Sequence, residues 1–209
     1  MIRVKICGMK DRADVDACVA AGADALGFIF AQSPRRLDID EARVLTADVP
    51  RSVATVGVFA NDPAEVVSAA IDVCRLDVLQ FSGDEPPEFC GSFGKPTIVS
   101  ARGRRWTSGE RAQARAIAVL VDSWSANEFG GTGRLMSLAQ AQRAREEHEG
   151  AAIVLAGGLT PVNVAPLVRA VVPDAVDVRT GVERDGRKDP PLVRAFVAAA
   201  RSALGRKHV

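Results

Sequence analysis

Histidine is almost missing from this chain. Of 209 residues, only His148 and His208 are histidine, one in a charged stretch and one at the tail. That argues against a histidine-built metal site and against a Ser-His-Asp triad. The four cysteines, Cys7, Cys18, Cys74 and Cys90, show no Cys-x-x-Cys spacing. Scattered, unpaired cysteines suit a reducing compartment, so a cytoplasmic location is expected. Charge of either sign is not in excess: 27 Lys and Arg against 26 Asp and Glu give a net charge of +1. No strong field is therefore present to attract nucleic acid or an anionic membrane surface. No apolar run is long enough to span a bilayer, and Arg3 and Lys5 inside a short apolar-rich strand do not read as a signal peptide.

What is present is a rhythm. Hydrophobic residues make up 47% of the chain, enough for a full core. Short β-type runs recur at 2–6, 25–30, 53–59, 78–81, 97–100, 117–121, 153–156 and 176–178. Amphipathic, alanine-rich stretches lie between them, with acids or proline at their starts: Asp11, Asp38, Asp62-Pro63, Pro86-Pro87, Thr160-Pro161 and Pro190-Pro191. Eight such units predict an α/β protein, a single (β/α)8 TIM barrel covering residues 1–209 as one domain. The competing architecture is a doubly wound open sheet, but no Gly-x-Gly-x-x-Gly follows the first strand. The fifth unit is the least regular, because 102–115 is polar and poorly periodic. The longest loop, 123–134, follows Asp122 directly and belongs to the catalytic face of a barrel.

In such a barrel the strand ends share one mouth. Cys7 closes the first strand and Asp122 closes the sixth, so a thiol and a carboxyl face one pocket as a candidate base and acid. The plain alternatives are a small core cysteine and a loop-capping aspartate. Cys18, Cys74 and Cys90 fall on helical or strand-adjacent positions and are read as core. Gly157-Gly158 follow the seventh strand and Thr180-Gly181-Val182 the eighth, where backbone N–H groups commonly hold a phosphate; the alternative is tight turns only. Gly130-Gly131-Thr132-Gly133-Arg134 reads as a hinged loop able to close over a ligand, or as an inert one. Arg35-Arg36, after the second strand, offer a fork for a carboxylate, or are a solvated pair. Lys5 and Asp11 read as rim charges that support the site from behind the residues touching the ligand.

These residues resemble a known family. Lys5-Ile6-Cys7-Gly8, Gly22 to Phe30, and Ser33-Pro34-Arg35-Arg36 are similar to the N-terminal quarter of the phosphoribosylanthranilate isomerases. Val56 to Asn61, Leu120-Val121-Asp122, Gly130-Gly131-Thr132-Gly133, Ala156-Gly157-Gly158-Leu159, and Val176-Asp177-Val178 with Gly181-Val182-Glu183 continue the resemblance in order. It implies a (β/α)8 barrel performing an Amadori rearrangement in tryptophan biosynthesis, with Cys7 as general base and Asp122 as general acid. Arg36 would hold the anthranilate carboxylate, and Gly158 and Gly181 would lie at the phosphate site. From the residues themselves, Gly157, Val182, Asp177 and Arg179 are further candidates for contact with the substrate. No metal or organic cofactor is implied. The partner would be a small sugar-phosphate substrate, with neither nucleic acid nor membrane, on a monomer or homodimer.

Three sites depart from the family pattern. Gln80-Phe81-Ser82-Gly83 stands where Gln-Leu-His-Gly is usual, Met136-Ser137-Leu138 where Phe-Asp-Trp is usual, and Arg179-Thr180-Gly181 where Ser-Ser-Gly is usual. Arg179 is two residues from Asp177 and shares its face. It would bind an extra anionic group or pair with Asp177. The alternatives to the standard isomerase are a paralogue doing the same aldose–ketose chemistry on another phosphoribosyl amine, and a non-catalytic phosphate-ligand binder.

Overall fold

The computed structural model describes residues 3–122 and 137–205. The glycine-rich segment Gly130 to Arg134 and Met136 lie outside the described residues. Eight parallel strands close into a barrel in chain order. They are β1 (Val4–Cys7), β2 (Ala25–Ile29), β3 (Ala54–Phe59), β4 (Val78–Phe81), β5 (Thr97–Ser100), β6 (Ala116–Val121), β7 (Ile153–Leu155) and β8 (Ala175–Val178). The helices between and after them are α1 (Arg12–Ala20), α2 (Ile39–Ala47), α3 (Ala64–Val73), α4 (Pro87–Gly91), α5 (Ser108–Gln113), α6 (Leu138–Glu147), α7 (Val164–Val171) and α8 (Pro190–Leu204). The expected (β/α)8 barrel is the observed fold.

Strand alternation sorts the core into two layers. Inward residues such as Val56, Val78, Ile98, Leu120 and Val154 pack on one another inside the barrel. Outward residues such as Phe28, Leu79 and Val119 pack against the helices. On that outer side Phe30 and Phe59 stack at 5.1 Å, and Phe81 lies 5.9 Å from Phe89 of α4. Each such fully buried ring contributes about 1.5–3 kcal/mol.

The polar fifth unit folds for a local reason. No residue of α5 is buried, but Thr107 and Glu110 form a capping box at its start. Trp106, 3% exposed, supplies the apolar anchor that the helix lacks. Its indole N–H donates to the Ser100 carbonyl at 3.0 Å, and its main-chain N–H donates to His148 Nε2 at 3.1 Å. His148 Nδ1 therefore carries the proton and donates to the Ala144 carbonyl at 2.7 Å. This histidine, in a charged stretch of sequence, is a buried structural link between α6 and the loop after β5.

At the end of the barrel away from the mouth, one device recurs. The residue preceding a strand is an aspartate whose carboxylate accepts an N–H from the first or second residue of the strand before. Asp24 Oδ2 takes Val4 N at 2.8 Å, Asp77 Oδ2 takes Thr55 N at 2.9 Å, and Asp174 Oδ2 takes Ile153 N at 2.9 Å. Asp77 also accepts the Thr55 hydroxyl at 3.0 Å. We expect Asp77→Ala to cost about 1–3 kcal/mol, because it orphans a buried N–H. Urea denaturation would show a lower midpoint with an unchanged slope; an unchanged midpoint would mean that the carboxylate is dispensable.

An element not expected from the sequence follows β8. A single 3₁₀ turn, Thr180–Val182, leads into a two-residue hairpin of β9 (Glu183–Arg184) and β10 (Arg187–Lys188). Asp185 and Gly186 between them have φ of 51° and 75°, the left-handed pair that a tight hairpin needs.

Candidate active site

The inward face that fills the barrel with Val and Ala turns polar at the C-terminal ends of the strands. One cavity there is lined by Cys7 of β1, Gln80 and Ser82 of β4 and its loop, Ser100 and Arg102 of β5 and its loop, Asp122 after β6, and Asp177 and Arg179 of β8 and its loop. Gly157, Gly158 and Gly181 line the same cavity. The structure thus brings Cys7, Asp122, Asp177, Arg179 and three of the four proposed phosphate-loop residues to one mouth. Val182 is buried just behind it, in the 3₁₀ turn. Arg36 is exposed on the loop after β2 and outside the lining, and its carbonyl accepts Lys10 Nζ at 3.3 Å.

The loops after β7 and β8 touch main chain to main chain. A Cβ on Gly181 would collide with the Leu159 carbonyl, so only glycine permits this approach. Gly157 and Gly158 turn the β7 loop with φ of 84° and 64°. Asn163 fixes the turn: its side chain donates to the Gly158 carbonyl at 2.9 Å and accepts Thr160 N at 2.7 Å.

Lys5 is not a rim charge. It lies on the inward face of β1 at 1% exposure, in register with Asp177, and its Nζ donates to Asp177 Oδ2 at 2.9 Å. The pairing offered above for Arg179 with Asp177 is thus taken by Lys5. Burial opposes a charge on Lys5, but Asp177 and then Cys7 more than offset it, leaving its pKa above the ordinary lysine value. The other three cysteines are inert by environment. Burial pushes Cys18 and Cys90 up to about 12 and Cys74 up to about 11, consistent with their reading as core.

The hairpin after β8 delivers a second buried lysine. Lys188 Nζ donates to the Cys7 carbonyl at 2.6 Å, the Arg179 carbonyl at 3.0 Å and Glu183 Oε1 at 2.8 Å. Glu183 also takes Arg35, whose Nε donates to Oε1 at 2.9 Å and whose Nη2 bonds to Oε2. Arg35 is therefore held by Glu183 as a fork, and its side-chain carbons lie with those of Arg179 over Gly8. Asp11 caps α1 and pairs with Arg187 of the hairpin.

Sequence reasoning missed Gln80, Ser100, Arg102 and Lys188. For the first three, the signal was polar residues at two-residue spacing as a strand ends; for Lys188 it was Asp185-Gly186, a hairpin signature whose flanking lysine faces inward.

A family model described as N-(5'phosphoribosyl)anthranilate (PRA) isomerase matches residues 4–199. The chain belongs to that family. An N-(5'-phosphoribosyl)anthranilate isomerase from Moorella thermoacetica is 42% identical over 205 residues, covering 97% of this chain and 91% of the relative. A solved phosphoribosyl anthranilate isomerase from Thermus thermophilus superposes with a TM-score of 0.82 at 34% identity, over 96% of this chain and 99% of its own. A second solved phosphoribosyl anthranilate isomerase, in complex with reduced 1-(o-carboxyphenylamino)-1-deoxyribulose 5-phosphate, gives 0.76 at 31% identity, over 97% and 100%. Within this isomerase framework the Ser82 and Arg179 departures both line the mouth. Ser82 accepts Gln80 Nε2 at 3.0 Å, and Arg102 donates to its carbonyl at 3.1 Å.

Burial pushes the Glu183 carboxyl up, but Arg35 and Lys188 outweigh it and hold the group below the usual carboxylate range. A depressed carboxyl stabilises the fold above the ordinary carboxylate pKa of about 4.3, and that contribution is lost as pH falls through the folded-state value. Glu183→Gln should therefore melt below wild type at pH 7, with the gap closing as pH falls below the ordinary carboxylate range. Melting curves across that range with a constant gap would contradict this assignment.

Proposed function

We propose that this chain catalyses the cofactor-free Amadori rearrangement of N-(5-phosphoribosyl)anthranilate to 1-(carboxyphenylamino)-1-deoxyribulose phosphate, a step of tryptophan biosynthesis. The observation that carries the proposal is that a thiol and a carboxyl, Cys7 and Asp122, line one cavity from the ends of β1 and β6. The substrate is an N-linked aminoribose phosphate. Asp122, protonated, donates to the furanose ring oxygen and opens the ring to an iminium. Cys7, as thiolate, takes the C2′ proton and gives an enolamine, which tautomerises to the ketone by losing the enol proton and gaining one at C1′. Cys7 then releases its proton and Asp122 regains one, so the enzyme returns to its starting state.

The glycine turns after β7 and β8 are the proposed phosphate cradle. Backbone N–H groups at Gly157, Gly158, Gly181 and Val182 would supply the donors. Arg36, exposed beside the mouth, is the proposed partner of the arylamine carboxylate. Asp177 and Arg179 would border the sugar.

Cys7→Ser and Asp122→Asn are each expected to lower kcat by about 10²–10⁴ with unchanged circular dichroism. The assay is loss of freshly generated phosphoribosylanthranilate and appearance of the ketose product. Near wild-type turnover by Cys7→Ser would remove the base assignment. Inorganic phosphate should compete with the substrate; an absence of competition by phosphate and phosphate esters alike would count against the cradle.

One observation favours a second reading, the same chemistry on a different amine. Arg179 lines the cavity where the family pattern has a small hydroxyl. Arg179→Ser compared with wild type on phosphoribosylanthranilate decides it. Feeble wild-type activity that improves in the variant supports another amine, while robust activity unchanged by the substitution removes that reading. A non-catalytic binder would show no turnover in either protein.

A further inference from the structure

We propose that Lys5 is a positioning residue for the reaction: its ammonium holds the Cys7 sulfur in the anionic, proton-accepting form. The proposal rests on Cys7 being the base and supplies what that role lacks, since a free cysteine with a pKa near 8.5 is mostly protonated at neutral pH.

The geometry carries the argument. Lys5 and Cys7 are two apart on β1, so both point into the barrel. Their ends meet over β2. A methyl group placed on Gly27 would lie 2.6 Å from Cys7 Sγ and 3.1 Å from Lys5 Nζ, so the two atoms flank one small space. The absence of a side chain at Gly27 leaves room for them to approach each other.

A buried ammonium must be paired. Asp177 Oδ2 takes one of its three N–H groups at 2.9 Å, and the sulfur is the other acidic group it faces. Asp177 is itself buried, and its Oδ1 has no hydrogen-bond partner among the described residues. The carboxylate thus keeps Lys5 charged and fixes where the charge sits.

Other charges surround the pair. Lys188 acts on the Cys7 carbonyl, and Glu183 balances it. Arg35 is held by the same Glu183, over Gly8. Arg179 after β8, Arg102 after β5 and Asp122 after β6 line the cavity. Asp14 on α1 accepts the main-chain N–H of Lys188 and does not line the cavity. Lys5 is the cation whose ammonium shares the space over Gly27 with the thiol. During turnover the thiolate accepts the C2′ proton and becomes a thiol, and Lys5 keeps its own proton throughout.

Removing Lys5 alone would strand a buried carboxylate, so the informative comparison is Asp177→Asn against Lys5→Met/Asp177→Asn. The two differ only in the lysine, and neither leaves an unpaired carboxylate. The rate of Cys7 alkylation by iodoacetamide, followed by peptide mapping, is measured against pH in both, together with the acid limb of kcat/KM. The midpoint in Asp177→Asn should lie at or below that of wild type. In the double variant it should rise by about one pH unit or more, with the acid limb following. Coincident midpoints would overturn the proposal and leave Lys5 a structural partner of Asp177. A midpoint that rises while the acid limb stays put would overturn Cys7 as the base and leave the hold of Lys5 on the sulfur standing. If the double variant loses the wild-type far-UV spectrum, Lys5→Gln/Asp177→Asn serves for the same comparison.

Discussion

The seam where β1 meets β8 is closed in a register that sets Lys5 beside Asp177, and much of the mouth depends on that register. A one-residue slip would turn Lys5 and Cys7 outward together, because side chains alternate with period two. The buried pair makes such a slip costly: breaking it would leave a charge in an apolar interior, at about 3–5 kcal/mol. The same seam is gripped from the loop side by Lys188, which takes the last carbonyl of β1 and the carbonyl of Arg179 just after β8. Two lysines, one inside the barrel and one behind the loop, therefore define where the sulfur sits.

Much of this was legible in the sequence, for a physical reason. A parallel strand buried on both faces reads as a short apolar run, and a capped helix announces itself by an acid or proline at its start. The first signal recovered all eight strands and the second six of the eight helices, with ends shifted by a residue or two; α5 and α6 start instead on the caps Thr107 and Ser137. Cys7 and Asp122 were legible because each is a titratable residue at the end of an apolar run. Lys5 was misread as a rim charge because a lysine inside a strand gives no hint of its partner. Asp177 lies 172 residues away in the chain, and only closure of the barrel brings it near. Lys188 was missed for the same reason, and its flanking arginine and aspartate made it look solvated.

Two departures from the family pattern, Ser82 and Arg179, fall at the mouth, while the barrel frame follows its relatives. Ser82 sits within a small network of Gln80 and Arg102, and Arg179 packs its side-chain carbons over Gly8. The frame fixes where these side chains project, and their identities then tune the chemistry of one rim without disturbing the strands beneath.

The aspartates beneath the barrel have one more consequence. They join β1 to β2, β3 to β4 and β7 to β8, each carboxylate reaching back about twenty residues. The fourth pair, β5 with β6, has Arg115 in the corresponding place; Thr97 N there bonds only to the Arg115 carbonyl, and the register shifts at the next residue. The barrel is thus a ring of four panels, three of them stitched by a carboxylate and the fourth by the Thr97 hydroxyl, which donates to the Ala114 carbonyl at 2.7 Å. Asp122 rides on the panel without a carboxylate and Cys7 on one that has it. Amide exchange among the strands should be fastest on the β5–β6 panel, which lacks that carboxylate and carries the register shift.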